Sequence, residues 1–600
     1  MSDHTFHIPV MGLAYTVDSP IKVAPYGIDS VMSIIEDSLI EKMRSFYYES
    51  INETYIPISE KEFDYRARRI TDYLNLVQRI VYQKFDQLKS TAFTAGSDIN
   101  KYFEMLPNNS ALRQFYLKML ELKEEKVIES AQKYLLSKMM PGRIDVNIMT
   151  KLDKNNPDQE KDLPGEASDA VAALRGYANS SLTNSSIVFS AGLNPRLFNY
   201  LGSLKAFEAK GLGQFDKKIV IKVSDYRSAL IQGKYLAKKG IWVSEFRIES
   251  GLNCGGHAFA SDGYLLGPIL EEFKNKKQEL TQTLHELYKA ALVARGESTY
   301  EQAHPVQITV QGGIGTYEED LLMREYYQVS KTGWGTPFLL VPEATTVDQD
   351  TLSLLSKAGE EDVCLSHNSP LGVRFHYLKG TSSDLAKQSR INAGKPGSPC
   401  TERFLVSNTE FTSEPICTAS RKYQKLKIDQ VKAQNLPEPE LQAQLQKIYD
   451  KECLCIGLSN AAFEKYGLKP IKNQTGVNIC PGPNIAYFHK IVSLKEMVDH
   501  IYGRAKVADE MNRPHMFVKE LTLYVNYLRE QLEEAGSTLD AKQEKYIKTF
   551  AENLREGIDY YKTLSEKLKD DYEELKTKMG NAIQQVEWQL NALLPQMILA

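Results

Sequence analysis

Two glycine-rich turns, Gly251-Leu-Asn-Cys-Gly-Gly-His257 and Gln311-Gly-Gly-Ile-Gly-Thr316, each follow a β-branched run. His257 closes the first. An imidazole has an unperturbed pKa near ~6.5 and can take or give a proton at neutral pH. The second turn suits an anion: Ile308-Thr-Val310 reads as a buried strand and Thr316-Tyr-Glu-Glu319 as a capping box that opens a helix. Gly312, Gly313 and Gly315 leave the backbone bare where a helix N-terminus offers unpaired N–H groups. Together the turns predict a parallel barrel holding a phosphate-bearing cofactor, with His257 beside it. The plainer alternative is that Gly312-Gly313 is an ordinary strand-to-helix turn.

The elements that must position these turns are legible as a rhythm. Short β-like runs separated by helical stretches recur through the first 345 residues, near 6–11, 30–34, 144–149, 186–190, 218–223, 242–248, 306–311 and 332–334. That alternation predicts βα units around a parallel sheet, and eight is the barrel number. An open doubly wound sheet is the alternative. Residues 1–36 open the barrel, 37–140 read as an inserted helical subdomain, and 141–375 complete the barrel. In the insertion Ile70, Tyr73, Leu74, Val77, Ile80 and Val81 form an apolar stripe at helical spacing. It could cap the barrel mouth or form a subunit interface. Residues 376–510 are mixed and cysteine-bearing, and 511–600 are nearly all helical. There Phe550, Leu554, Ile558, Tyr561, Leu564, Leu568, Tyr572 and Leu575 step by threes and fours, a stripe that favours packing on the body over packing on a partner.

Composition narrows the function classes. The 600 residues carry 73 Lys and Arg against 77 Asp and Glu, a net charge of -4 that gives no basic surplus for nucleic acid. No apolar run is long enough to cross a bilayer, and the N-terminus lacks the pattern of a secretory signal, so a cytoplasmic protein is expected. The seven cysteines are then expected to be reduced. Cys400, Cys417, Cys453, Cys455 and Cys480 fall close together in the chain, but Cys453-Leu-Cys455 lacks a second close pair, and buried unligated thiols are the expectation rather than a metal. Gly397-Ser-Pro-Cys400-Thr401 is similar to the cysteine loop of inosine-monophosphate dehydrogenases, yet it follows the Gly-Gly-Ile turn here where that loop precedes it.

The order of motifs resembles the nitronate monooxygenase family, formerly 2-nitropropane dioxygenases, which are FMN-dependent TIM barrels. Pro9-Val-Met-Gly12 stands where the family has an early Pro-Met turn, and Asp145-Val-Asn147 where it has Gly-Val-Asn. Cys254-Gly-Gly-His257 matches its Ala-Gly-Gly-His turn, Gly312-Gly-Ile314 its Gly-Gly-Ile, and Trp334-Gly-Thr-Pro-Phe338 its Met-Gly-Thr-Arg-Phe. Leu339-Leu-Val-Pro-Glu-Ala344 echoes the Leu-x-x-x-Glu-Ala that follows. The resemblance spans roughly residues 6–375, interrupted by the helical stretch, and has no counterpart beyond. On the substrate side the chain departs, with Asn253 in place of an acid and Cys254 in place of a small residue.

The resemblance implies an α/β fold, a TIM (β/α)8 barrel with an inserted helical subdomain and a mainly helical C-terminal extension. It implies FMN held by Met11, Gly12, Asn147, Lys222, Gly255, Gly256, Gly312, Gly313, Gly335 and Thr336, the phosphate lying on the last four in the loops after strands seven and eight. It implies His257 as base or substrate orienter and Lys222 as a cation beside the reduced flavin, the plainer readings being a hydrogen-bonded core histidine and a salt-bridged lysine. Cys254 is a minority candidate for nucleophile or acid. The expected activity is oxidation of a small, carbon-activated substrate with O2 or NAD(P)H as redox partner. The alternatives are an NAD(P)H-dependent enoyl reductase of lipid or polyketide synthesis and a non-catalytic scaffold. No nucleic acid, membrane or metal is expected, and the helical regions are where an oligomer would form.

Overall fold

The computed structural model describes residues 3–148, 153–190, 192–256, 262–471, 474–535, 540–567 and 573–599. Eight parallel strands close into a barrel in chain order: β1 (Phe6–Ile8), β2 (Asp29–Ser33), β3 (Ile144–Ile148), β4 (Ser185–Phe189), β5 (Lys217–Val223), β6 (Glu245–Glu249), β7 (Gln307–Gln311) and β8 (Lys331–Gly333). Closure is made by β8 on β1, with Phe6 opposite Thr332 and His7 opposite Gly333. The fold is thus a TIM barrel with surrounding helices and a helical C-terminal region, and the open-sheet alternative is excluded by that last pairing.

Period two explains which residues look inward. Ile144, Val146 and Ile148 of β3, Ile219, Ile221 and Val223 of β5, and Phe246 and Ile248 of β6 all belong to the main apolar core. The alternate positions, Asp145 and Asn147, Lys218 and Lys222, Glu245, Arg247 and Glu249, face the barrel interior. At the strand starts these form a charged floor. Arg143 Nε and Lys331 Nζ donate to Asp29 at 3.0 and 2.7 Å, and Arg247 Nε and Thr309 Oγ1 donate to Glu245 at 2.8 and 2.6 Å. Burial alone would raise Asp29 and Glu245; Arg143 and Lys331 on the first, and Arg247, Arg143 and Thr309 on the second, together outweigh it and hold both carboxyls low. Above the floor Val10, Val31, Val188 and Val220 make a small apolar layer.

Residues 37–140 form five helices, Asp37–Ser50, Tyr65–Ser90, Asp98–Glu104, Ala111–Leu120 and Glu125–Lys138. The stripe from Ile70 to Val81 is buried, and Tyr65–Ser90 lies against the barrel helix Asp169–Asn179. A Cβ at Gly176 would sit 2.7 Å from Ala67 O, so this close crossing needs the glycine. The last three helices and the end of the long one share a separate core around Phe85, Phe103, Tyr116 and Leu135. Tyr26 Oη donates to Asp98 at 3.0 Å, Tyr102 Oη to Met140 O at 3.0 Å, and Ser110 Oγ to Asp3 at 2.8 Å. Asp3, Tyr26 and Met140 precede β1, β2 and β3, so this core sits under the floor and does not cap the mouth.

Beyond β8 come an antiparallel pair, Val363–Ser366 with Phe375–Leu378, and then mainly helices. Of the late apolar stripe, Phe550, Leu554, Ile558, Tyr561 and Leu564 are buried on the helix Ala541–Lys567. That helix packs on Leu266–Ala294, Met516–Ala535 and Glu573–Leu599. No helix among the described residues is long and apolar enough to cross a membrane.

Candidate active site

A cavity of about 230 Å³ opens at the C-terminal ends of the strands, the end of a barrel where chemistry is placed. Gly12, Asn147, Lys222, Gly255 and Gly256 line it together. The strand alternation delivers Asn147 and Lys222 from β3 and β5. The glycines come from the turns after β1 and β6, which touch. Gly255 has φ +74°, and a Cβ there would stand 2.5 Å from Gly12 N, so the contact requires a glycine on conformation and on space. Met11, fully buried, packs beneath the turn with its sulfur toward Gly335.

Lys222 Nζ lies 3.1 Å from Glu249 Oε1, and the same carboxylate oxygen accepts from Asn253 Nδ2 and Gln311 Nε2, each at 2.8 Å. A single anion therefore holds a cation and two amides at the cavity wall. Asn147 is almost fully buried and its Oδ1 has no hydrogen-bond partner among the described residues. Glu36 also lines the cavity, capping the helix Asp37–Ser50 through the amides of Ser38, at 3.0 Å, and Leu39. Its burial pushes the carboxyl up to about 7. Arg66, another lining residue, donates to Ile35 O at 2.7 Å and faces Asp37 and Asp169 at 3.9 and 3.8 Å. His257 lies outside the described residues.

The four residues expected to seat a phosphate, Gly312, Gly313, Gly335 and Thr336, do not line this cavity. The chain itself covers that rim. Thr336 Oγ1 donates to Pro481 O at 2.6 Å, and a Cβ on Gly482 would be 2.9 Å from the same hydroxyl. Asn484 Nδ2 donates to Gly313 O and Ile314 O at 3.1 and 3.0 Å, and Arg513 Nη2 to Gly313 O at 2.6 Å. Gly312 is pressed on Asn253 and Gly335 on Cys254 and Pro9. The anion at the helix start is Glu319, whose Oε2 accepts from Gly315 N at 2.8 Å. Thr316 does cap the helix, accepting from Glu319 N at 3.3 Å.

Cys254 is buried under the turn with its thiol on Cys480 O at 3.4 Å, and burial pushes that thiol well up. Sequence reasoning also missed an entire wall. Ser369, Leu371, Phe375, Leu405, Leu454 and Cys480 line the cavity, and all lie beyond β8. Glu249 had a usable signal, because Glu245-Phe-Arg-Ile-Glu249 alternates charged and apolar residues at the strand period.

No family model matches this sequence, and no curated protein matches it. Among solved structures the chain is similar to a nitroalkane oxidase from Streptomyces ansochromogenes, at 9% identity over 62% of this chain and 75% of that one, with a TM-score of 0.26. What is established is therefore the closed parallel barrel itself and a cavity at its C-terminal mouth in which Asn147, Lys222 and the Gly255-Gly256 turn meet.

Proposed function

We propose that this chain is a flavin-dependent oxidoreductase working at the barrel mouth, with the flavin ring over Asn147, Lys222 and the Gly255-Gly256 turn. The observation that carries the reading is the buried Oδ1 of Asn147, without a partner among the described residues, in a cavity that also presents a cation. Leaving such an oxygen unpaired costs about 1–3 kcal/mol, which a ring N–H of a ligand would recover. The wall is otherwise largely aliphatic, aromatic and glycine, suited to a planar ring. Among the described residues a Cβ at Gly256 would meet nothing closer than 4.0 Å.

The ring end fits these residues and the phosphate end does not fit the rim that the resemblance implies, because residues 481–484 and Arg513 occupy it. Bound flavin would supply a two-electron acceptor. Lys222, fixed by Glu249, would supply a positive charge to stabilise a reduced flavin. His257, the neighbour of Gly256, takes the proton from the substrate carbon or orients an anionic substrate.

The deciding experiment is the absorption spectrum of the untreated protein, followed by reconstitution with FMN. A flavin spectrum that weakens in Asn147→Leu and Lys222→Met supports the reading, and a protein that stays colourless after reconstitution overturns it. Oxygen uptake with a nitroalkane, lost in His257→Ala with flavin retained, would identify the base. Bleaching by NADPH without a nitro compound would favour the enoyl reductase. One observation favours a second reading, a barrel without turnover: the chain has placed its own Pro481, Asn484 and Glu319 where a phosphate would sit.

A further inference from the structure

Glu36 stands three residues past β2, at the C-terminal end of the barrel, and borders the mouth cavity together with Asn147, Lys222 and Gly256. It is only 2% exposed. Its side chain folds back on the helix Asp37–Ser50 and accepts from Ser38 N at 3.0 Å and from Leu39 N. Helix starts favour Ser, Thr, Asp and Asn, whose shorter side chains reach the same amides. A glutamate is therefore not needed to cap this helix, and burying its carboxyl is costly. What the longer side chain adds is a carboxyl at the cavity wall.

Among the described residues the donors to that carboxyl are the two backbone amides, and no side chain joins them. Arg66, from the helix Tyr65–Ser90, is a guanidinium on the same wall, but Ile35 O at 2.7 Å and Asp169 O at 3.3 Å take it up. It also faces the carboxylates of Asp37 and Asp169 at 3.9 and 3.8 Å. Asp37, on the helix that Glu36 caps, is bonded to Arg69, and Glu402 approaches from the chain beyond β8; both carboxylates disfavour another negative charge. Lys154 lies at the outer wall, its Nζ 5.8 Å from the centre of the Phe404 ring. Burial, helped by Asp37 and Glu402, outweighs the two amides and pushes the Glu36 carboxyl up to about 7. A carboxyl that keeps its proton can donate as well as accept.

We propose that Glu36 presents its O–H to the ligand of the mouth cavity, hydrogen-bonding an oxygen that is anionic or becomes so when the neighbouring carbon gives up its proton. The ligand class that follows is a largely apolar molecule bearing a carboxylate, an enolate or another oxyanion, because Ile35, Leu371, Phe404 and Leu405 line the same cavity. No bond is made or broken at Glu36: the proton is shared with the oxyanion and stays within the hydrogen bond. A neutral acid in a pocket shielded from water stabilises such a charge without itself becoming a buried anion. This role deepens the oxidoreductase reading and rests on it for the fate of the electrons; binding of an oxyanion at Glu36 does not.

The test titrates benzoate, anionic throughout, into the full chain at a series of pH values, with flavin content measured on the same sample. Its Kd should be level below the break and rise about tenfold per pH unit above about 7, because the free carboxyl must then recapture a proton. Calorimetry at about pH 8 in buffers of different ionisation enthalpy should read uptake of about one proton per benzoate, a measurement that needs no variant. Glu36→Gln keeps an acceptor for the helix and an N–H for the ligand, so it should bind benzoate with neither the break nor the proton uptake. Glu36→Ser, which still caps the helix, should bind about tenfold more weakly at acid pH. A Kd independent of pH, proton uptake that persists in Glu36→Gln as a titrating His257 would give, or equal affinity of Glu36→Ser and wild type would each overturn the assignment. So would a failure of benzoate to bind at about pH 6, a pH at which the carboxyl holds its proton. A flavin-free protein that cannot be reconstituted but binds benzoate with the expected break would uphold the role of Glu36 and remove the flavin.

Discussion

Arg513 donates both terminal nitrogens to Glu319, at 2.8 and 2.9 Å, inside the turn whose glycines predict a bound phosphate. The same carboxylate takes Gly315 N at 2.8 Å and Met516 N at 2.7 Å. An internal anion therefore satisfies the helix start, and the arginine that neutralises it comes from the entry to the helix Met516–Ala535. The Gly-Gly-Ile-Gly turn reads as an anion site because it is one, occupied by the protein.

Breaking this pair should cost more than any surface change. Glu319→Gln leaves Arg513 buried without its charge partner, a loss of about 3–5 kcal/mol measured as a fall in the denaturant midpoint. The double variant with Arg513→Met should cost less than the two singles summed. Burial alone would raise Glu319, but Arg513, His515 and the hydrogen bonds from Arg513 and Met516 N together outweigh it and hold the carboxyl low. Its contribution is therefore complete above the ordinary carboxylate range near ~4.3 and is lost as pH falls through the lowered value. Identical acid unfolding of Glu319→Gln and wild type would refute this.

The Thr336 hydroxyl is committed to Pro481 O, so removing it should not touch the ligand. Thr336→Val is expected to lower stability by about 1 kcal/mol and to leave FMN affinity within about twofold. Lys222→Met, by contrast, removes a charge-assisted contact worth about 1.5–3 kcal/mol, or roughly 10- to 100-fold in Kd. Fluorescence titration of both variants decides it. A Thr336→Val defect as large as that of Lys222→Met would put the phosphate back on the β8 turn.

Adjacent glycines in the β6 turn should behave differently. Gly255→Ala demands a left-handed alanine and a clash with Gly12 N, together about 2–5 kcal/mol, so thermal stability should drop sharply. Gly256→Ala has room and an ordinary φ, so it should fold as wild type while placing a methyl in the cavity and weakening ligand binding. Equal thermal shifts for the two would show that the turns after β1 and β6 are not in contact.

The barrel was legible because strands such as β4, β5 and β7 carry β-branched runs and the turns after β1, β6, β7 and β8 carry glycines, and both are local signals. Lys217–Val223 and Gln307–Gln311 match the sequence reading to within one residue at either end. What local signals cannot carry is contact across the chain. Pro481 against Thr336 and Asn484 against Gly313 are separated by well over a hundred residues, as are Glu319 and Arg513. No spacing rule links them, so a turn that is filled and a turn that is free look alike in sequence. The cavity wall from Ser369 to Cys480 was invisible for the same reason. The inward face of the barrel was visible in principle, since Ile-Asp-Val-Asn-Ile and Glu-Phe-Arg-Ile-Glu alternate at period two.

Glu520 gives the opposite pH dependence to Glu319. Its carboxylate accepts from Leu266 N at 2.8 Å and Gly251 N at 3.1 Å, joining the helix Met516–Ala535 to the β6 turn and to the helix Leu266–Ala294. Burial pushes its pKa up from 4.5 to about 7, outweighing those two amides. The folded chain then binds a proton more tightly than the unfolded one. Stability from this group is complete below the unfolded value and is lost as pH rises through about 7, by about 3 kcal/mol at most. Glu36, raised to about 7 by burial, adds a parallel loss. Wild-type denaturant midpoints should therefore fall between about pH 4.5 and 7 and level off above, and Glu520→Gln should flatten that slope by about half, leaving the share that belongs to Glu36. A wild-type slope of zero across this window, or a slope in Glu520→Gln equal to that of wild type, would mean that the carboxyl is charged and solvated in the folded protein.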